Sequence, residues 1–227
     1  MLFNLWYNIC EGVFMENHIL DPSLLSADFS NLGKAIEMIE NGKAGAVHID
    51  VMDGNFVPEI TYGEPVIRSI RPLTKLPFDV HLMVVEPEKH IESFAKAGAD
   101  WITFHLEAVE NEDEAIKLLE EIHKLGKKAG ISIKPDTPIS ALSKIMNFAD
   151  IILVMTVNPG FGAQAIIPSC VDKVKELFEI KQERKLNFLI SVDGGINEKT
   201  LNSVLDAGTN LVVSGSAFFK GTLGWKE

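Results

Sequence analysis

The sequence predicts an α/β protein, a (β/α)8 TIM barrel. Short β-rich runs alternate with amphipathic runs from Ile19 onward, the pattern of a parallel sheet covered by helices. Eight such runs with seven amphipathic ones between them match the barrel's count. Polar residues stand at or near the ends of several of these runs, where a barrel gathers them at one mouth. An open doubly wound sheet would show a glycine-rich turn after its first strand. Here that strand leads into Ser23-Leu24-Leu25-Ser26-Ala27-Asp28, without glycine, and no Walker-type loop follows.

In chain order, the predicted strands are Ile19–Leu25, Ala46–Val51, Phe78–Val84, Trp101–Leu106, Gly130–Lys134, Ile151–Val157, Phe188–Val192 and Asn210–Ser214. The predicted helices are Ser30–Asn41, Glu64–Arg71, Glu86–Lys96, Asn111–Leu125, Ile139–Asn147, Ser169–Glu183 and Glu198–Asp206. Asn197 and Pro87 serve as start signals. Gly98, Gly126 and Gly208 stand just past helix ends, where a left-handed residue is wanted. After Ser214 too little chain remains for a full eighth helix, which is predicted to be truncated or missing. The apolar, aromatic stretch Met1–Phe14 lacks the basic start of a secretory signal. Residues 1–18 are therefore expected to be an extension, and 19–227 a single barrel domain.

The chain has 227 residues, 46% hydrophobic and 23% charged, with a net charge of -11. This is ordinary globular composition. The acidic balance argues against a nucleic-acid partner. The absence of a long uncharged apolar run argues against a membrane span. Two cysteines, Cys10 and Cys170, make no disulfide framework, so a reducing, cytoplasmic location is expected.

The chemistry is expected around Ala46-Val47-His48-Ile49-Asp50-Val51-Met52. His48, Asp50 and Met52 alternate and so share one face of the strand. His81 and Met83 repeat the pattern on the third strand, and Asp193 leaves the seventh. Two imidazoles and two carboxylates, His48, Asp50, His81 and Asp193, form a set that suits Zn²⁺, and also Fe²⁺, Mn²⁺ or Co²⁺. A carboxylate on each side of a substrate carbon beside a carbonyl can remove a proton from one face and return one to the other. Asp50 and Asp193 are the expected pair. Gly160, Phe161 and Gly162 follow the sixth strand, Gly194 and Gly195 the seventh, and Gly215 and Ser216 the eighth. Glycine-rich loops after the last strands of a barrel are a recurrent phosphate site. Ser23 could add a hydroxyl. Met52, Met83 and Met155 are expected to form an apolar lining that excludes water. Lys134, closing the fifth strand, offers a rival Schiff-base lyase chemistry, against which the metal set speaks.

These motifs, from Pro22-Ser23-Leu24-Leu25-Ser26-Ala27-Asp28 through His48-Ile49-Asp50-Val51-Met52-Asp53-Gly54, Asp79-Val80-His81-Leu82-Met83, Asn158-Pro159-Gly160-Phe161-Gly162 and Val192-Asp193-Gly194-Gly195 to Ser214-Gly215-Ser216, resemble those of ribulose-phosphate 3-epimerases. The resemblance runs from about Pro22 to Phe219. It implies a ribulose-phosphate-binding barrel, an isomerase that interconverts D-ribulose 5-phosphate and D-xylulose 5-phosphate in the pentose phosphate pathway. It implies His48, Asp50, His81 and Asp193 as ligands of one divalent metal, with Asp50 and Asp193 as acid/base groups. It implies Ser23, His81, Gly160 to Ala163, Gly194, Gly195, Gly215, Ser216 and the three methionines as substrate contacts. It further implies a homo-oligomer, a dimer or hexamer. Ala163 departs from the family, which usually has a second glycine there. An allulose-6-phosphate 3-epimerase and an inactive sugar-phosphate-binding barrel are the alternatives.

Overall fold

The protein is described by a computed structural model covering residues 18–225. The expected extension, residues 1–18, thus lies almost entirely outside the described residues. Eight parallel strands are present: β1 (Ile19–Asp21), β2 (Val47–Met52), β3 (Phe78–Met83), β4 (Trp101–His105), β5 (Lys128–Ile133), β6 (Ile151–Met155), β7 (Leu189–Asp193) and β8 (Leu211–Val213). They pair in the order β1-β8-β7-β6-β5-β4-β3-β2. The ring closes between β1 and β2 through the parallel bridge of Ser23 with His48. There the His48 N–H donates to the Pro22 carbonyl at 3.1 Å and the Gly45 N–H to Leu20 at 2.9 Å.

The helices are α1 (Leu32–Asn41), α2 (Glu64–Ile70), α3 (Ile91–Ala97), α4 (Glu112–Lys124), α5 (Pro168–Arg184), α6 (Leu201–Asp206) and α7 (Ser216–Phe219). Asn111 caps α4 by accepting from the Glu114 N–H at 3.0 Å. Three acids open that helix, and His123 and Lys124 close it, in the sense that the helix dipole favours. Gly98, Gly126 and Gly208 adopt positive φ as expected.

Several elements differ from the sequence expectation. Ile139–Asn147 is not an α-helix but two 3-10 turns, Ile139–Leu142 and Met146–Phe148. Ile139, Leu142 and Ile145 are buried, and their spacing of three suits three residues per turn better than 3.6. β1 stops at Asp21 because Pro22 has no N–H to continue the ladder. Ser23 instead accepts from the Leu25 N–H and starts a 3-10 turn. Pro87 opens a 3-10 turn, and α3 begins only at Ile91. Asn197 accepts from the Lys199 N–H in a turn ahead of α6, which begins at Leu201.

The strands are buried on both faces, as a parallel sheet requires. Outward-facing Val47, Ile49, Val80, Leu82, Ile102, Ile131, Val154, Ile190 and Val212 join the helices in one large apolar cluster. Inside the barrel, Ala46, Trp101, Ile151 and Leu211, with Ile19 and Leu189, form a separate apolar plug. Each stands at or next to the first residue of its strand, so the plug fills the end of the barrel opposite the strand C-termini. Apart from Met52 and Met83 at the C-terminal ends of β2 and β3, the remaining interior positions of β1 to β4 are polar. Asp21, His48, Asp50, Asp79, His81, Thr103 and His105 are all buried.

The truncated eighth helix is a single short turn, α7. The seam beside it is covered by the chain that follows. Leu223 is 4% exposed and belongs to the main core, with Phe218, Phe219 and Trp225 packed against it. Phe218 lies where a Cβ on Gly42 would sit only 2.7 Å from its ring, so glycine there admits the phenyl group. If this packing replaces the missing helix, Leu223→Ala should cost about 2–5 kcal/mol of stability, read from the urea-unfolding midpoint. An unchanged midpoint would show that the seam is held by other contacts.

Candidate active site

Alternation along β2 and β3 points His48, Asp50 and Met52, and Asp79, His81 and Met83, into the barrel. The strands pair with His48 opposite Asp79, Asp50 opposite His81 and Met52 opposite Met83. The same face of β7 ends in Asp193. One side-chain ligand atom from each of His48, Asp50, His81 and Asp193 lies within 4.8 Å of all the others. Three strands thus converge on one point, as the sequence analysis expects.

The contacts within the cluster are close. Asp50 Oδ1 is 3.3 Å from His48 Nε2 and 3.1 Å from His81 Nδ1. Asp50 Oδ2 accepts from the Ser23 hydroxyl at 2.5 Å. On its other side, His48 Nδ1 is 3.0 Å from Asp79 Oδ2 and 3.4 Å from Asp21 Oδ2. His81 Nε2 is 2.9 Å from His105 Nε2, and His105 Nδ1 is 3.2 Å from Glu107 Oε2. A buried shell of acids and one further imidazole therefore backs the two inner histidines.

Burial and neighbouring charge set the protonation of these groups. Burial pushes the Asp193 carboxyl up, the nearby Asp50 charge adds to this, and it stands at about 6. Burial would also raise Asp50, but His48 and then His81 hold it well below the usual carboxylate range. Burial would lower His48. Asp50, Asp21 and Asp79 together overcome this and carry it well above its ordinary value. Burial raises Asp21. Burial lowers His105 to about 4, aided by His81 and Lys134. Glu107 would be raised by burial, but hydrogen bonds from His105, Thr137 and the Lys134 N–H bring it to about 2.

The donor set fits a divalent cation. His48 Nε2 is buried without a hydrogen-bond partner and faces the cluster, as a ligand lone pair would. Two imidazoles with two carboxylates suit Zn²⁺, Fe²⁺, Mn²⁺ or Co²⁺ alike.

A cavity of about 250 Å³ opens above this cluster. Ser23, Asp50, Met52, Met83, Met155 and Asp193 line it, with Gly160, Phe161, Gly162, Ala163, Gly194, Gly195, Gly215 and Ser216 from the three loops. Of the expected site residues only His48 and His81 are absent from the wall. Both are fully buried. Lys134 is also off the wall, with its ammonium 3.9 Å from the Phe56 ring centroid. This placement argues against a Schiff-base role.

Two of the loop glycines are sterically required. A Cβ on Gly194 would stand 2.3 Å from Val157 Cγ2, and one on Gly195 only 2.4 Å from the Ile166 nitrogen; both residues have positive φ. The Thr156 hydroxyl donates to the carbonyls of Asp193 and Gly194 at 2.9 and 2.6 Å, pinning this turn. Ala163 has φ 59°, a left-handed conformation that glycine adopts without strain. Sequence reasoning missed His105, Glu107, Asp21 and Asp79 behind the histidines, and Ser26, Asn197 and Lys220 on the wall. The alternation Trp101, Thr103, His105 and the step from Asp21 to Ser23 are the signals that could have found the inner ones.

Comparison with known proteins bears on the whole barrel. The model of the ribulose-phosphate 3 epimerase family matches residues 19–219. A ribulose-phosphate 3-epimerase of Treponema pallidum is 54% identical, over 90% of this chain and 92% of that protein. One from Bacillus subtilis is 47% identical, over 87% of this chain and 90% of that one. A chloroplastic ribulose-5-phosphate-3-epimerase of Arabidopsis thaliana is 43% identical, over 88% and 71%. Among solved structures, a tryptophan synthase alpha-subunit from Pyrococcus furiosus superposes with a TM-score of 0.66 at 16% identity, covering 90% of each chain. That likeness supports the barrel fold alone. The family match spans nearly every described residue, including the strands that bear the buried acids and imidazoles, and this chain belongs to the ribulose-phosphate 3-epimerase family.

Proposed function

We propose that the protein interconverts D-ribulose 5-phosphate and D-xylulose 5-phosphate by proton transfer at C3, with Asp50 and Asp193 as the two acid/base groups. The observation that carries this reading is their meeting at one cavity, with side-chain oxygens within 4.8 Å of each other and of both imidazoles. Epimerisation beside a ketone needs a base on one face of the carbon and an acid on the other. β2 and β7 deliver one carboxylate each from different sides of the ring. In each direction one carboxylate takes the C3 proton while its partner returns a proton to the opposite face. Asp193, at about 6, stands near neutrality, where a group can both give and accept a proton.

His48, Asp50, His81 and Asp193 would hold the cation, for which we propose Zn²⁺ first. When bound, it supplies a positive charge that stabilises the negative charge developing on the sugar oxygens. The Ser23 hydroxyl fixes the Asp50 carboxylate plane. Met52, Met83 and Met155, each no more than 4% exposed, keep water from the reacting carbons. The loops bearing Gly160, Gly194, Gly195, Gly215 and Ser216 would receive the phosphate through close backbone approach. Among the described residues no helix is long and apolar enough to cross a membrane, and we propose a cytoplasmic enzyme acting on a free sugar phosphate.

Asp193→Asn should lower conversion of ribulose 5-phosphate to xylulose 5-phosphate by about 10²–10⁴-fold, with the circular dichroism spectrum preserved. Undiminished conversion would remove Asp193 from the chemistry. A further expectation concerns the cation. Protein stripped with a chelator should lose activity and regain it with a divalent ion. Because His48 and Asp193 hold protons above their ordinary ranges, ion uptake near neutrality should release protons, and apparent affinity should fall as pH drops from about 7 to 5. Calorimetric titration in buffers of different ionisation enthalpy reads both effects. Affinity that rises on acidification would contradict the ligand assignment.

A further inference from the structure

We propose that the Lys220 ammonium and the Ser26 hydroxyl hold the phosphate of the substrate, adding a cation and a side-chain donor to the glycine loops. The proposal rests on reading the cavity as a sugar-phosphate site, and makes the two side chains binding residues.

Charge sets the first requirement. A phosphate monoester carries close to two negative charges near neutrality. The chain has a net charge of -11, and the cavity wall bears two carboxylates, Asp50 and Asp193. Backbone N–H groups in glycine loops supply only partial positive charge. Among the described residues that line the cavity, Lys220 is the one lysine, arginine or histidine. It is exposed, and its ammonium makes no ion pair among the described residues.

The position of Lys220 carries its stem toward the loops. Gly215 and Ser216 line the cavity where α7 begins. The Lys220 N–H donates to the Ser216 carbonyl at 3.2 Å, one turn on. Residues four apart on a helical turn share a face, and their side chains lean toward the turn that precedes them. The Lys220 stem thus runs back over Ser216, and its end delivers a compact positive charge.

Ser26 reaches the same place from the start of the barrel. Its oxygen would stand 2.3 Å from a Cβ on Gly215 and 3.9 Å from one on Gly162. Ser26 therefore lies between the loops that follow β6 and β8, and the bare glycine at 215 leaves room for its hydroxyl. Other polar side chains of the wall are committed to the protein. Ser23 donates to Asp50, Ser214 to the Ile196 carbonyl, Gln164 to the Asn158 carbonyl and Asn197 to the Gly195 carbonyl. The Ser26 hydroxyl has no such partner among the described residues. Like the Lys220 ammonium, it keeps its donor for a ligand.

The test uses the metal-loaded full chain. The parent, Lys220→Met, Lys220→Arg and Ser26→Ala are compared for epimerisation of ribulose 5-phosphate and, by calorimetry, for affinity toward inorganic phosphate. Lys220→Met and Ser26→Ala should each raise KM and weaken inorganic phosphate binding by about 10-fold. Their kcat should stay close to that of the parent, as expected when binding common to substrate and transition state is lost. Lys220→Arg, which keeps the charge, should recover most of the loss. Added salt should weaken phosphate binding more in the parent than in Lys220→Met. Parent-like KM and phosphate affinity in Lys220→Met or Ser26→Ala overturns the assignment of that side chain and leaves the enzyme reading standing. A parent that binds inorganic phosphate through Lys220 yet turns over no ribulose 5-phosphate supports the phosphate site and overturns the enzyme reading. A parent that does neither overturns both.

Discussion

The molecule depends on one electrostatic constraint: four aspartates, Asp21, Asp50, Asp79 and Asp193, and three histidines, His48, His81 and His105, share one barrel interior. An isolated buried carboxylate is expensive, and several without compensation would neutralise by taking up protons. The divergent behaviour of three of them follows from this. Asp50, touched by two imidazoles and a hydroxyl, keeps its charge. Asp21, with both oxygens buried and His48 at 3.4 Å beside it, is driven by burial toward its neutral form. Asp193 is raised less far. A divalent cation among them would relieve the same imbalance that His48 relieves by holding a proton.

The rest of the fold makes that constraint tolerable. The apolar plug of Trp101, Ile151 and Leu211 closes the lower end of the barrel, and the continuous apolar surface outside the strands holds the helices. Burial spread over so many residues, at about 25 cal/mol per Å² of apolar surface, can offset a polar interior of this kind. Above the cluster, Met52 and Met83 pack with Val57, and Met155 with Leu153 and Val157. The site is therefore walled by flexible thioethers, which adapt to a substrate more readily than branched side chains do.

Much of this was legible in the sequence, and the reasons divide cleanly. Period-two alternation places a side chain on a face, and His48, Asp50, His81 and Asp193 were found that way. Glycine requirements in the loops after β6, β7 and β8 are local, and Gly194 and Gly195 stand where a Cβ would collide. Alternation does not say how deep a residue lies or what it meets across the barrel. Hence His81 was expected on the cavity wall but lies beneath it, and the contact from His105 to His81, 24 positions apart, was invisible. The turn at Ile139–Leu142 was misread because apolar spacing of three fits both helix types over so short a run. The eighth helix is the single short turn Ser216–Phe219. Its substitute, Leu223 and the phenyl groups beside it, depends on tertiary packing that no local pattern encodes.

Asp50 and Asp193 then raise a question of balance. Epimerisation is nearly symmetric in its chemistry, yet the two carboxylates sit in unequal surroundings. Asp50 is gripped by Ser23, His48 and His81, whereas Asp193 is shaped mainly by burial and by the charge of Asp50. Pairs of acids pushed apart in this way divide acid and base roles, and a reversible enzyme must exchange those roles at each turnover. A cation shared by both carboxylates would act most strongly on the one with the fewest other partners, Asp193. It would bring the two closer in acidity than the protein alone does.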